Sequence, residues 1–365
     1  MKDIQKFCRK GILDLKAYIP GKPIEEVQEE LGLTEIAKLA SNETPLGPSP
    51  KAVAAAEKEL RNVNLYPEGP CTLLRRKMSK RLDIKDDMIT FSNGADNCIV
   101  LVASAFIDEG DEIVMGDPSF FVYKTVTKIM GGRPIYVKLK NYVHDLEAML
   151  KEVNEKTKLV FVCNPNNPTG TIVRKPELDN FVSRLPDHTI LVLDEAYFEF
   201  ATDKDSPDGL DYIKKGHNVI AFRTYSKIFG IAGLRIGYAL GCREFISVLN
   251  RVREPFPVSR VAQAGALAAL EDEEYIEKVL ENNEEGKVYL YNEFDKMGFP
   301  YVPSHTNFVF VDFKVDSQKI FQALLKRGII IRPGHLWNCP TFARITIGTM
   351  DQNRKFINAL KEYKS

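Results

Sequence analysis

"KLVFVCNPNNPTG" (158–170) and "TILVLDEAYFEF" (189–200), the two ends of one stretch, decide the fold. Each opens as a short run apolar at consecutive positions, the pattern of a strand buried on both faces. Each then breaks abruptly into polar sequence. Between them, "KPELDNFVSRL" (175–185) spaces its apolar residues as a helix does. Strand, helix, strand at this spacing predicts a parallel pair with a helical crossover. The same alternation extends outward. "MITFSNGA" (88–95), "DEIVMGDP" (111–118), "RPIYVKL" (133–139), "NVIAFRTYSK" (218–227) and "RIGYALG" (235–241) read as strands, with helical segments such as 71–82 and 95–107 between them. The prediction is an α/β chain with a large doubly wound, mostly parallel sheet domain.

The texture changes after "EPFPVSR" (254–260). Long charged helical segments are followed by "NFVFVDF" (307–313), "SQKIFQALLKRGIIIRP" (317–333) and "FARITIG" (342–348). These predict a smaller α+β domain. The expected division is residues 45–258 for the large domain and 259–365 for the small one, with residues 1–44 packing on the small one.

Composition narrows the class of partner. Fifty basic side chains balance fifty acidic ones. Nucleic acid or anionic lipid would demand a basic face, so a small-molecule ligand is expected instead. No apolar run reaches the length of a membrane span, and the opening residues lack a secretory h-region. The six cysteines and five histidines are dispersed without metal-ligand spacing. A reduced, cytoplasmic setting with no metal site is the expectation.

The unusual polar clusters all fall where strands end: "SNGAD", "CNPNNPTG", "LDEAY" and "TYSK". In an open α/β sheet, ligands sit at the carboxyl ends of the strands. Lys227 follows an apolar strand; there, either a solvated charge or a desolvated amine with a lowered pKa fits. Ser226 and Arg235 beside it are donors suited to a phosphate monoester. An amine nucleophile beside phosphate donors suggests a phosphorylated aldehyde. Gly94, Ala95 and Asp96 open a helix whose first amides make an anion seat or simply an ordinary helix start. Asp194 at a buried strand end needs a cationic partner such as a protonated ring nitrogen, unless it serves as an N-cap. Tyr197 and Asn167 could reach the same ring.

As a set, Asn167 in NNPTG, Asp194 and Tyr197 in DEAY, and Ser226–Lys227 with Arg235 resemble the fold-type I pyridoxal-phosphate aminotransferases of the aspartate aminotransferase superfamily. The order and spacing agree over nearly the whole chain. The resemblance implies pyridoxal 5'-phosphate as cofactor and Lys227 as its covalent anchor and proton shuttle. It implies that Asp194 pairs with the ring nitrogen, that Asn167 and Tyr197 bond the ring oxygen, and that Phe120 stacks on the ring. Ser226, Arg235 and the Gly94–Ala95–Asp96 turn then hold the phosphate. Tyr66, in "LYPEGP", matches a tyrosine that reaches the cofactor of a partner subunit, which implies a homodimer.

Within the superfamily the sequence is most similar to the histidinol-phosphate aminotransferases, through "AYIPGKPIEEVQEELGL" (17–33), "KLASNETPLGPSP" (38–50), "GIIIRP" and "RITIGT". That similarity implies substrate contacts at Tyr18, Asn42, Arg332 and Arg344. Arg332 would meet the substrate phosphate and Arg344 the α-carboxylate of glutamate. It implies a ping-pong exchange between histidinol phosphate and 2-oxoglutarate, giving imidazole-acetol phosphate and glutamate. One departure is "RPGHLWNCPTF" (332–342), where His335 and the only tryptophan, Trp337, suit an aromatic acceptor as well. The alternatives on the same scaffold are an aromatic or broad-specificity aminotransferase and a decarboxylase of a phosphorylated amino acid. A ligand-sensing domain without activity would need a basic DNA-binding extension, which is not expected here.

Overall fold

In a computed structural model, residues 4–15, 17 and 21–364 are described. Among these residues, twelve strands form two sheets. In chain order they are β1 (Ala37–Leu39), β2 (Ile89–Ser92), β3 (Glu112–Asp117), β4 (Arg133–Lys138), β5 (Thr157–Cys163) and β6 (Ile190–Asp194). There follow β7 (Val219–Thr224), β8 (Gly237–Leu240), β9 (Tyr301–Val302), β10 (Phe308–Asp312), β11 (Ile329–Pro333) and β12 (Phe342–Thr346).

The larger sheet has seven strands in the order β2-β8-β7-β6-β5-β3-β4. Six run parallel and β8 runs against both its neighbours. The consecutive apolar runs of the sequence lie at its centre: β6 and β7 are buried at every residue. Such strands present apolar side chains to helices on both faces, as the parallel arrangement requires. One face packs Leu191, Leu193 and Ala221 against helices Thr72–Leu82, Lys175–Val182 and Gly209–Lys214. The other packs Val192, Ile220 and Phe222 against Ala95–Phe106, Val122–Met130 and Arg243–Val252.

The smaller sheet has the order β1-β11-β12-β10-β9. Strand β1, from the N-terminal part of the chain, pairs in parallel with β11; the other contacts are antiparallel. Its core gathers Leu39, Val309, Ile329 and Ile345 with Leu290, Phe294 and Phe356 of two long helices. One segment differs from the sequence expectation. Expected on the small unit with the rest of residues 1–44, the helix Lys10–Leu13 lies against Val122–Met130 of the large layer. Gly11 allows that approach, because a Cβ there would stand 2.2 Å from the Lys128 carbonyl oxygen. Among the described residues no helix is long and apolar enough to cross a membrane.

Candidate active site

A cavity of about 460 Å³ opens where β5, β6 and β7 of the large sheet end and the small sheet comes over them. The sequence had marked these strand ends, and the fold brings them to one place. Ala95, Asp96, Phe120, Asn167, Asp194, Tyr197, Ser226, Lys227, Arg235, Asn42, Arg332 and Arg344 all line it. Tyr66 does not. It is 79% exposed and stacks on Phe256 at 4.7 Å. Tyr18 lies outside the described residues.

Asp194 ends β6 with 3% of its surface exposed. Its Oδ2 accepts from the Tyr123 hydroxyl at 2.6 Å and its Oδ1 from the Ala196 N–H at 3.1 Å. Among the described residues no Lys, Arg or His nitrogen comes within salt-bridge distance. Burial pushes the carboxyl up from 3.8 to about 6, against the two hydrogen bonds that favour its charge. A cation placed against this carboxylate would restore it to the ionised state.

Lys227 follows β7. Its Nζ donates to the Ser41 carbonyl at 3.3 Å and lies 5.7 Å from the Tyr197 ring centre. Burial first, then the Arg344 guanidinium, lowers its pKa from 10.5 to about 8. A substantial neutral fraction near pH 8 makes it a competent nucleophile and base.

Around the mouth of helix Ala95–Phe106 an anion seat is assembled. Its first amides have no intrahelical acceptor. Arg235, held at φ 54°, brings its Nη1 to 3.4 Å from Ser226 Oγ and its Nη2 to 3.8 Å from Asp96 Oδ2. Gly94 takes φ 78°, a conformation that favours glycine, and a Cβ there would displace the Arg235 guanidinium, whose Nη2 would be 2.3 Å away. Gly237 is equally constrained, since a Cβ would stand 2.5 Å from the Ala95 nitrogen. Thr224, which the sequence reading passed over, accepts from the Ser226 N–H at 3.0 Å and fixes that turn.

The "NPNNPTG" loop is tied down from within and below. Asn166 receives Ser119 Oγ at 2.8 Å and donates to Thr169 Oγ1 at 2.8 Å, and the Gly170 N–H returns to the Asn166 carbonyl at 2.7 Å. Beneath it, His144 Nε2 meets the Cys163 carbonyl at 3.2 Å; burial lowers its pKa to about 4, so it is neutral and donates. The loop delivers the Asn167 Oδ1 to Arg344 Nη1 at 2.6 Å. Arg344 also donates to the Ala40 carbonyl at 2.6 Å. Arg332 and Arg344 are direct partners across β11 and β12, so both face the cavity from one side of the small sheet.

Trp337 is buried, edge-on to Phe310 at 6.1 Å, and lies 5.2 Å from the Arg344 guanidinium carbon. His335 points elsewhere, to Asp316 Oδ1 at 2.7 Å. Tyr123 was also missed. The available signal was its position one helical turn after Phe120 in the segment that follows β3.

These groups fit pyridoxal phosphate on the structure's own terms. A buried carboxylate lacks a cation, an amine with a lowered pKa stands nearby, and a cradle that a Cβ would fill faces arginine and serine donors.

The chain belongs to the class I and II aminotransferases, whose family model matches residues 34–360. It is 49% identical to the histidinol-phosphate aminotransferase of Moorella thermoacetica, over 97% of this chain and 92% of that one. It is also 49% identical to that of Caldicellulosiruptor saccharolyticus, over 97% and 99%. Among solved structures, the histidinol-phosphate aminotransferase of Sinorhizobium meliloti in complex with pyridoxal-5'-phosphate superposes with a TM-score of 0.89. It is 28% identical, over 97% of this chain and 96% of that one.

Proposed function

We propose that this chain is a pyridoxal-phosphate-dependent histidinol-phosphate aminotransferase of histidine biosynthesis. It would exchange the amino group of histidinol phosphate with 2-oxoglutarate to give imidazole-acetol phosphate and glutamate. The carrying observation is the similarity to curated relatives of that activity at 49% identity over 97% of the chain. The paired arginines 332 and 344 suit it, because one pocket must accept both a carboxylate and a phosphate.

Asp194, Asn167, Tyr197 and Phe120 would hold the cofactor ring, while Ser226, Arg235 and the Gly94–Ala95–Asp96 turn would hold its phosphate. Bound there, pyridoxal phosphate supplies an electron sink for the bond between the substrate α-carbon and its hydrogen. The protein's own part is to place charges and move one proton. Asp194 presents a carboxylate whose burial makes a cation partner strongly favourable. Lys227 Nζ, neutral in part near pH 8, takes the proton from the α-carbon and returns it on the other side of the exchange. Arg344 Nη1 and Nη2, already committed to Asn167 and the Ala40 carbonyl, present a rigid fork for a substrate carboxylate. Trp337 forms part of the cavity wall beside Arg344.

The test is a half-reaction panel. The amino form of the loaded enzyme is mixed in turn with imidazole-acetol phosphate, phenylpyruvate and 2-oxoglutarate. Rapid recovery of the starting absorbance is expected with the phosphate ester and with 2-oxoglutarate. Recovery with phenylpyruvate but not with the ester would replace this substrate by an aromatic one, the reading that Trp337 and Phe121 in the cavity wall would favour. Carbon dioxide release from an amino-acid substrate would replace the reaction class.

The proposal extends to a cytoplasmic homodimer. Tyr66, Phe256, Leu60, Val63 and Leu65 form an exposed apolar group near one another in the chain or in space, of the kind that a second subunit covers. Tyr66 would then reach the partner's cofactor phosphate. A monomeric mass at micromolar concentration would overturn this. The working division is a large unit of residues 45–258 and a small one of residues 259–365 joined by part of residues 1–44.

A further inference from the structure

Asn42 was expected to touch substrate. Its hydrogen bonds point to a different task. The residue sits three positions past β1 with 1% of its surface exposed and a left-handed φ of 56°. Asparagine tolerates that conformation better than most side chains. Its main-chain N–H donates to Thr346 Oγ1 at 2.9 Å, and Thr346 Oγ1 in turn donates to Asn42 Oδ1 at 2.9 Å. The Asn307 amide donates to its carbonyl at 3.0 Å.

The side-chain amide faces Thr346 through its oxygen. The hydroxyl accepts from the main-chain N–H with one lone pair and gives its one proton to Oδ1. The Asn42 Nδ2 is therefore the atom on the other side, 2.8 Å from Tyr197 Oη, where it donates. The phenol is thus an acceptor from Asn42, and its own O–H is left to donate elsewhere. Among the described residues no acceptor takes that proton, and Tyr197 lines the cavity. Phe308, on β10 of the small sheet, holds the tyrosine ring edge-on at 5.2 Å. Both restraints on this large-sheet residue come from the small sheet or from the strand that joins it.

We propose that Asn42 is a positioning residue. By occupying an acceptor site of Tyr197 it aims the phenolic proton into the cavity, at the ring oxygen of the cofactor. Because Thr346 orients Asn42, the strength of that bond depends on where the small sheet stands. The inference rests on the cofactor reading above. A donor to the ring oxygen favours its anionic form, so weakening the donor raises the pH at which the bound chromophore titrates.

The experiment is a pH titration of visible absorbance, with pyridoxal phosphate bound and no substrate present, on wild type, Asn42→Gly, Asn42→Asp, Tyr197→Phe and the double variant Asn42→Gly/Tyr197→Phe. Glycine keeps the left-handed backbone and removes both the Nδ2 donor to Tyr197 and the Oδ1 acceptor of Thr346. Asn42→Gly is expected to move the midpoint up by about half a pH unit. Asn42→Asp, which would accept from the phenol and reverse the bond, is expected to move it further. Asn42→Gly is expected to add nothing in the Tyr197→Phe background. A midpoint unchanged in Asn42→Gly, with only the substrate KM altered, overturns the proposal and leaves Asn42 a substrate contact. Should Asn42→Gly not fold, Thr346→Val removes the orienting hydroxyl and is expected to shift the midpoint in the same direction. A wild-type protein that gains no absorbance with pyridoxal phosphate overturns the cofactor reading and this inference with it.

Discussion

Asp194 and Glu195 are adjacent carboxylates at the end of one strand, exposed to 3% and 2%, and their fates are opposite. Alternation along the strand sends them to different faces. Asp194, in register with Phe222, faces the cavity side and meets a neutral phenol. Glu195 turns into the opposite core. There Arg223 Nε reaches its Oε2 at 2.9 Å and the Gly209 N–H its Oε1 at 2.6 Å. Arg223 Nη2 also meets Asp208 Oδ1 at 2.6 Å, and its guanidinium covers the Phe198 ring at 3.6 Å. Burial would lower the Arg223 pKa, but the surrounding acidic groups, Glu195 first, carry it above its ordinary value. Burial pushes the Glu195 carboxyl up as well, to about 7, and the Arg223 charge beside it works the other way, holding the pair ionised. Strand β7 carries Arg223 on the core side, and Lys227, three residues past its end, lies at the cavity. A buried ion pair holds the strands together, while the carboxylate a residue away has hydrogen bonds but no cation against it.

The comparison breaks most readily at Lys227. Lys227→Ala is expected to lose both half-reactions by more than about 10⁴-fold without destabilising the fold. Stopped-flow mixing with each substrate checks the first point and denaturant unfolding the second; retained turnover would dismiss the assignment. Arg223→Met should do the reverse. It leaves Glu195 buried without its cation, at a cost of about 3–5 kcal/mol in unfolding free energy, while the cofactor absorbance of the folded fraction stays that of wild type.

Asp194→Asn sharpens the contrast by removing a charge the cofactor-free protein holds at a cost. The folded carboxyl titrates near 6 and the unfolded one near 3.8, so the native state binds the extra proton between these values. Stability of the cofactor-free protein therefore falls as pH rises through that window. Asp194→Asn is expected to flatten this slope in pH-dependent unfolding and to stabilise the cofactor-free protein by about 1–3 kcal/mol at pH 7–8. Cofactor affinity, followed by equilibrium dialysis, should fall at the same time. The smallest effect is expected from Tyr123→Phe. Loss of the hydrogen bond to the charged form lifts Asp194 further, so the same falling limb extends to higher pH and turnover drops by roughly tenfold.

Much of this was legible in the sequence because the chemistry sits at strand ends. Consecutive apolar residues in "LVFV", "ILVL" and "VIAF" mark central parallel strands, and the polar clusters that follow these runs fall at the strand ends. Asp194, Asn167 and Lys227 could be grouped on that ground alone. Tyr123 and Thr224 could not, because a tyrosine in an amphipathic helix and a threonine closing a strand read as core and turn residues. Trp337 and His335 were equally ambiguous. Only the turn Gly334–Trp337 sends the first to the cavity wall and the second outward to Asp316. Asn42 was legible as important and illegible as to its role.

By itself the sequence determined the periodicities, and hence which segments are central strands, and the residue types able to anchor a phosphorylated aldehyde. These are local properties, set by side-chain spacing and donor chemistry. The tertiary structure alone decided the pairings across tens to hundreds of residues: Asn42 with Thr346 and Tyr197, Arg344 with Asn167, Glu195 with Arg223. A hydrogen bond of under 3 Å depends on where two sheets come to rest against each other. No spacing within one segment encodes that distance.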